Sequence, residues 1–182
     1  DDEWIEKIKA KQPEFRDEKL ERYKKEFDIP QYDAEILTES KHMADIFEET
    51  TVICGKPKKV SNWLMVETMR LLKEHGMEPE DISFSPANLA KLIGLTEAGT
   101  INSSVAKEVF EQVFEKDVDP ESYVEEHGLK TVNDEGALEE VLKEVIAKNP
   151  KAIADYKGGK EKALGALVGQ TMKAMKGKAN PG

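Results

Sequence analysis

The sequence predicts an all-α fold, and three observations predict it. Apolar residues recur three and four positions apart along most of the chain, the spacing that lines one face of a helix. Ser, Thr, Asn or Asp precede several of these runs and Gly or Pro follow them, as helix caps and stops do. No stretch alternates apolar and polar residues for long enough to make a strand, and Val52-Ile53-Cys54 is β-prone but too short.

The elements follow in order. Residues 14–28 are mildly amphipathic through Phe15, Leu20, Tyr23 and Phe27, and stop before Pro30. Thr38 is expected to cap a helix carrying Met43, Ile46 and Phe47, closed by Gly55. The turn Gly55-Lys-Pro-Lys-Lys leads into Val60 to His75, with Trp63, Leu64 and Met69 inward and Gly76 as stop. Ser85-Pro86 opens a short helix, since Pro suits the first helical position; it holds Leu89, Leu92 and Ile93 and is expected to end at Gly94. Asn102 and Ser103 cap a helix with Val105, Val109, Val113 and Phe114 on one face. Asp119-Pro120 starts a short helix ending at Gly128, and Asn133-Asp134 caps one carrying Leu138, Val141, Leu142, Val145 and Ile146. Asn149-Pro150 stops that helix and starts a one- or two-turn helix through Ile153; Lys157-Gly-Gly then breaks the chain before a last helix.

Asp, Pro and Gly punctuate the stretch from Lys116 to Asn133, which reads as a hinge. Two domains follow: a helical domain over 1–117, with an N-terminal linker, and a small tail domain over 118–182. So small a unit has a thin core.

Charge divides the chain unevenly. From Lys151 onward there are seven Lys and two acids, a net of +5, whereas residues 1–150 hold 20 basic and 35 acidic residues, a net of −15. A basic tip on an acidic body points to an end that meets a polyanion. The single Cys54 excludes an internal disulfide and fits a reducing cytoplasm. No run approaches ~18 apolar residues, so no membrane helix is expected. Asp1-Asp-Glu-Trp is acidic, with no signal-peptide core after it and no initiator Met, so the chain reads as part of a longer one.

The basic tip keeps helical periodicity. From Lys160 to Lys176 the apolar stripe is Leu164, Leu167, Val168, Met172 and Met175, and the opposite face holds Lys162, Gly165, Gly169, Lys173 and Lys176. Gly within a helix costs about 1 kcal/mol relative to Ala, so two of them suggest close approach to the backbone. Two readings stand: a sugar-phosphate chain lying between ammonium groups, or helix-on-helix packing through the glycines. Gly158-Gly159-Lys160 is not a Walker motif, because Ala154 and Glu161 stand where Gly and Ser or Thr are needed. A Gly-rich break before a helix could still offer backbone N–H groups to a phosphate, flanked by Lys157 and Lys160.

Catalytic constellations are missing from the sequence pattern. His42, His75 and His127 are scattered, and the last two stand beside helix-ending glycines, where a cation suits the helix dipole. No nucleophile, base and oxyanion set emerges, so the chain reads as a binding module, with no metal site and no cofactor of its own.

Tyr156-Lys-x-Gly-Lys160, Lys162-Ala-Leu-Gly165, Leu167-Val-Gly-Gln170-x-Met-Lys173 and Lys176-Gly-Lys-Ala-Asn-Pro181 together resemble the carboxyl end of the B subunit of the aspartyl/glutamyl-tRNA amidotransferase. The resemblance extends upstream through Pro13-Glu-x-x-Arg16, Arg22-Tyr23, Tyr32-Asp-Ala-x-x-Leu-Thr38, Ala44-Asp-x-Phe-Glu48, Asn62-Trp63, Leu89-x-x-Leu-Ile93 and Gly99-Thr-Ile-Asn-Ser-Ser-Val-Ala-Lys107. Ala166 departs from the pattern, where a larger apolar residue such as Phe is expected.

The resemblance implies a heterotrimer with an amidase and a small third subunit, in the cytoplasm. That complex would use ATP and Mg²⁺ to activate Glu on tRNA(Gln), or Asp on tRNA(Asn), and ammonia from glutamine to form the amide. The activating site would lie in an amino-terminal domain outside this chain. The part present here would hold and select the tRNA, with neither DNA nor membrane as a partner. On the same ground a tRNA-binding role falls to Lys157, Gly158, Gly159, Lys160, Lys162, Gly165, Gly169, Gln170, Lys173, Lys176 and Lys178. A Lys/Gly face with no exposed aromatic platform fits recognition of shape through the RNA backbone. The alternative is a helical protein-interaction module that docks other subunits through its acidic surface without touching RNA.

Overall fold

The computed structural model describes residues 14–131, 135–175, 177 and 179; the side chains of 135–137 are not among them. These residues form α-helices with no strand among them. In order they are α1 (Arg16–Glu26), α2 (Gln31–Leu37), α3 (Lys41–Cys54), α4 (Pro57–Asn62), a π-helical segment (Trp63–Thr68), α5 (Met69–His75), a 3₁₀ turn (Pro79–Asp81), α6 (Pro86–Glu97), α7 (Ser103–Lys116), α8 (Pro120–Glu126), α9 (Glu135–Lys148), α10 (Pro150–Lys157) and α11 (Lys162–Ala174).

The chain divides into two compact units, Asp1–Ala90 and Lys91–Gly182. In the first, Tyr23, Leu37, Met43, Phe47, Val60 and Leu64 are almost wholly buried. The rings of Tyr23 and Phe47 lie 4.7 Å apart, and Phe27 closes the cluster at 5.8 and 5.7 Å from them. Glu48 fastens α1 to α3: its Oε1 accepts from Tyr23 Oη at 2.7 Å, Arg22 at 2.9 Å and Lys19 at 3.0 Å. Arg22 also forks onto Glu14, at 2.6 and 2.8 Å. In the second unit, α7 buries Val105, Val109, Phe110 and Val113 along one stripe. Lys91 pairs with Asp119 at the start of α8, and Thr131 N–H donates to Thr100 O at 2.7 Å.

Several boundaries differ from the sequence reading. Ser40 caps α3 by accepting from Met43 N–H, whereas Thr38 closes the preceding helix and donates its hydroxyl to Ala34 O. That preceding helix, α2, was not anticipated. Gly94 lies inside α6, which runs on to Glu97. The stop is Gly99 at φ +70°, where Gly99 N–H returns to Thr96 O and Thr100 N–H to Leu95 O, closing a Schellman turn that favours glycine. The expected cap Asn133-Asp134 lies outside the described residues.

Helices α9, α10 and α11 pack pairwise into a small bundle. Its core is thin: among its described residues only Val145, Leu167, Thr171 and Ala179 are buried. Leu142, Ile146, Tyr156 and Leu164 are 38–47% exposed around an open apolar cleft of about 390 Å³.

Candidate nucleic-acid interface

The face opposite that cleft is built by α11. Lys162, Gly165, Gly169 and Lys173 are all exposed on it. A Cβ built on Gly165 or Gly169 would meet nothing within 4 Å. The glycines therefore serve no helix packing among the described residues, and the groove they leave is open. No ion pair engages Lys162 or Lys173 among the described residues, and both residues are exposed. Lys176 and Lys178 lie outside the described residues.

The elbow before α11 contributes Lys157, Gly158, Gly159 and Lys160, all exposed. Its backbone corrects one expectation. Gly158, Gly159 and Lys160 N–H donate to the carbonyls of Ala154, Tyr156 and Asp155 at 2.9, 2.9 and 3.0 Å. These amides complete the end of α10 and are not offered to a phosphate. Gly159, at φ +89°, is the left-handed residue this turn requires. Lys160 Nζ lies 3.0 Å from Asp155 Oδ1, so it is anchored on its own helix end.

Gln170 is also committed. Its Nε2 donates to Asn149 Oδ1 at 3.1 Å, and Asn149 Nδ2 returns a bond to Gln170 Oε1 and another to Val145 O at 2.8 Å. Sequence reading grouped Gln170 with the lysines; the structure joins it to the turn between α9 and α10. Asn149, 21 residues away, carried no signal beyond a helix stop.

No cluster of three or more His, Cys, Asp or Glu side chains could hold a metal ion among the described residues. No described helix is long and apolar enough to cross a membrane.

A family model described as "GatB domain" matches residues 45–182, most of the chain. The chain belongs to the GatB domain family. It is 71% identical to the B subunit of the aspartyl/glutamyl-tRNA(Asn/Gln) amidotransferase of Agathobacter rectalis over 180 residues, covering 99% of this chain and 38% of that protein. The B subunits of the same amidotransferase from Lachnospira eligens and Thermodesulfovibrio yellowstonii are 60% and 48% identical, over 100% and 99% of this chain and 39% and 38% of theirs. The chain thus spans rather more than a third of the length of the curated relatives it matches. The match takes in α4 to α11 of this GatB domain, including the α11 face and the elbow.

Tyr156 fits the apolar spacing of a core residue, yet it is 46% exposed beside Lys157. An aromatic surface is present where none was expected.

Proposed function

We propose that this chain is the tRNA-holding part of the B subunit of a glutamine-hydrolysing, ATP-dependent amidotransferase. The intact enzyme would convert Glu on tRNA(Gln), or Asp on tRNA(Asn), to the amide, in the cytoplasm, together with an amidase and a small third subunit. ATP and Mg²⁺ would act in the portion of the protein outside this chain. The α11 face would carry the RNA backbone, with Lys162 and Lys173 neutralising phosphates and Gly165 and Gly169 admitting the chain close to the helix. The observation that carries this reading is the open space over both glycines, four residues apart between the exposed Lys162 and Lys173. Gln170 then acts by holding α11, while Lys157, Lys160, Lys176 and Lys178 extend the basic field.

The test is tRNA binding by this chain across a salt series, wild type against Lys162→Glu, Lys173→Glu and Lys176→Glu combined. A steep loss of affinity with salt in the wild type, flattened in the variant, is expected, because each neutralised phosphate adds to the slope. Equal slopes would overturn the reading.

Protein docking is the second reading. It is favoured by Val52 and Ile53, 85% and 57% exposed at the end of α3 on an acidic unit. It predicts that substitutions there weaken association with the other subunits and leave RNA affinity unchanged.

A further inference from the structure

We propose that Tyr156 is a stacking platform for one unpaired nucleobase, so that this end of the molecule contacts a base as well as the backbone. The inference rests on the RNA-binding reading above and adds a base subsite to it.

Three observations carry it. Tyr156 sits at the rim of the apolar cleft with nearly half of its surface in water. A buried tyrosine in a packed core would leave no face for a partner. Its neighbours along the chain are Lys157, the bare Gly158-Gly159 elbow and Lys160, all exposed. That is a positive rim around an aromatic surface, complementary to a polyanion that carries flat rings. Leu164 and Ile146, also half-exposed, extend the apolar floor beside the ring.

The chemistry favours a base over an aliphatic side chain. Every base presents a π-face, and stacking on an aromatic side chain is sequence-tolerant. The apolar lining offers little hydrogen bonding: its one aliphatic hydroxyl, Thr171 Oγ1, already donates to Leu167 O at 2.9 Å. A base stacked on the rim keeps its polar edge in water, whereas one pushed to the cleft floor would lose those bonds. Bases free to do this occur in loops and bulges, so the subsite suits a looped-out nucleotide rather than a paired stem. Asp155 holds Lys160 against α10, leaving Lys157 for the flanking phosphate.

The test uses the full 182-residue chain and two probes, a tRNA(Gln) transcript and inorganic polyphosphate, which has the charge but no bases. Tyr156→Phe should bind both like wild type. Tyr156→Leu keeps apolar bulk and should lose roughly tenfold in tRNA affinity, with polyphosphate affinity and salt slope unchanged. In the wild type, tRNA but not polyphosphate should move the Tyr156 ring-proton resonances upfield, a reading that depends on no variant's folding. Unchanged ring resonances on tRNA binding, or wild-type affinity in a folded Tyr156→Leu, would overturn the platform. If Lys162→Glu with Lys173→Glu still weakened both probes, the backbone reading would survive that result. A wild-type chain that binds neither probe would overturn both.

Discussion

Asn149 and Gln170 face each other amide to amide and exchange hydrogen bonds, which ties the turn between α9 and α10 to the middle of α11. Asn149 also donates to Val145 O, so the clamp is seated on the end of α9. In a bundle with so few buried side chains, this pair adds a polar tie between α11 and the turn before α10 to the packing of Leu167 and Thr171. Asn149→Ala and Gln170→Ala should each lower the stability of the chain by about 1 kcal/mol. Two substitutions that break one shared interaction are not additive, so the double variant should cost little more than either single one. Thermal unfolding of the four proteins checks this, and strict additivity would contradict it.

The Glu48 cluster makes stability fall in acid. Burial raises the Glu48 carboxyl, but hydrogen bonds from Tyr23 and Lys19 and the charge of Arg22 outweigh it and hold it below its ordinary value. The Arg22 hydrogen bond holds Glu14 low in the same way. In the unfolded chain both carboxyls take up protons near their ordinary value of about 4.3, above where the folded state does. The stabilisation is therefore present above that pH and is lost as pH falls through the folded values. Glu48→Gln should cost about 1–3 kcal/mol at pH 7 and flatten the decline between about pH 5 and 3. Denaturant titrations at several pH values measure both, and a parallel decline in wild type and variant would contradict the assignment.

The chain's punctuation and its contacts divide it differently. Compact units meet at Ala90 and Lys91, within α6, whereas the proposed domain boundary for independent folding is 117/118. Removing everything from Lys130 onward should leave residues 1–117 helical and cooperative by circular dichroism. Loss of cooperative unfolding in the shortened chain would place the folding boundary elsewhere.

Local signals were the legible part of the sequence. Asn102 and Asp119 cap α7 and α8 through side-chain oxygens that accept from Val105 and Ser122 N–H, three residues on. Such bonds span three residues, so the pattern shows them. Thr38 and Ser40 both look like caps, and only their partners separate them. Gly94 and Gly99 look equally like stops, but only Gly99 takes a positive φ. The all-α fold and the Lys/Gly face were likewise readable, because helical periodicity fixes which residues share a side. Exposure was not. The spacing of Tyr156 places it on the cleft face but cannot say that the bundle is too small to cover it. Nor could it reveal that the elbow amides are spent on α10, or that Gln170 finds its partner 21 residues back.

The most direct measurement is tRNA affinity and stability, taken together, for Gly169→Leu. The site is helical and open, so the substitution should raise stability by about 0.5–1 kcal/mol through helix propensity alone. The same side chain would stand where the RNA backbone is to lie, and affinity should fall by roughly tenfold, about 1.4 kcal/mol. A chain that is more stable and binds more weakly is the result predicted here. A more stable chain that binds tRNA as tightly as wild type would contradict the claim that this face receives the RNA.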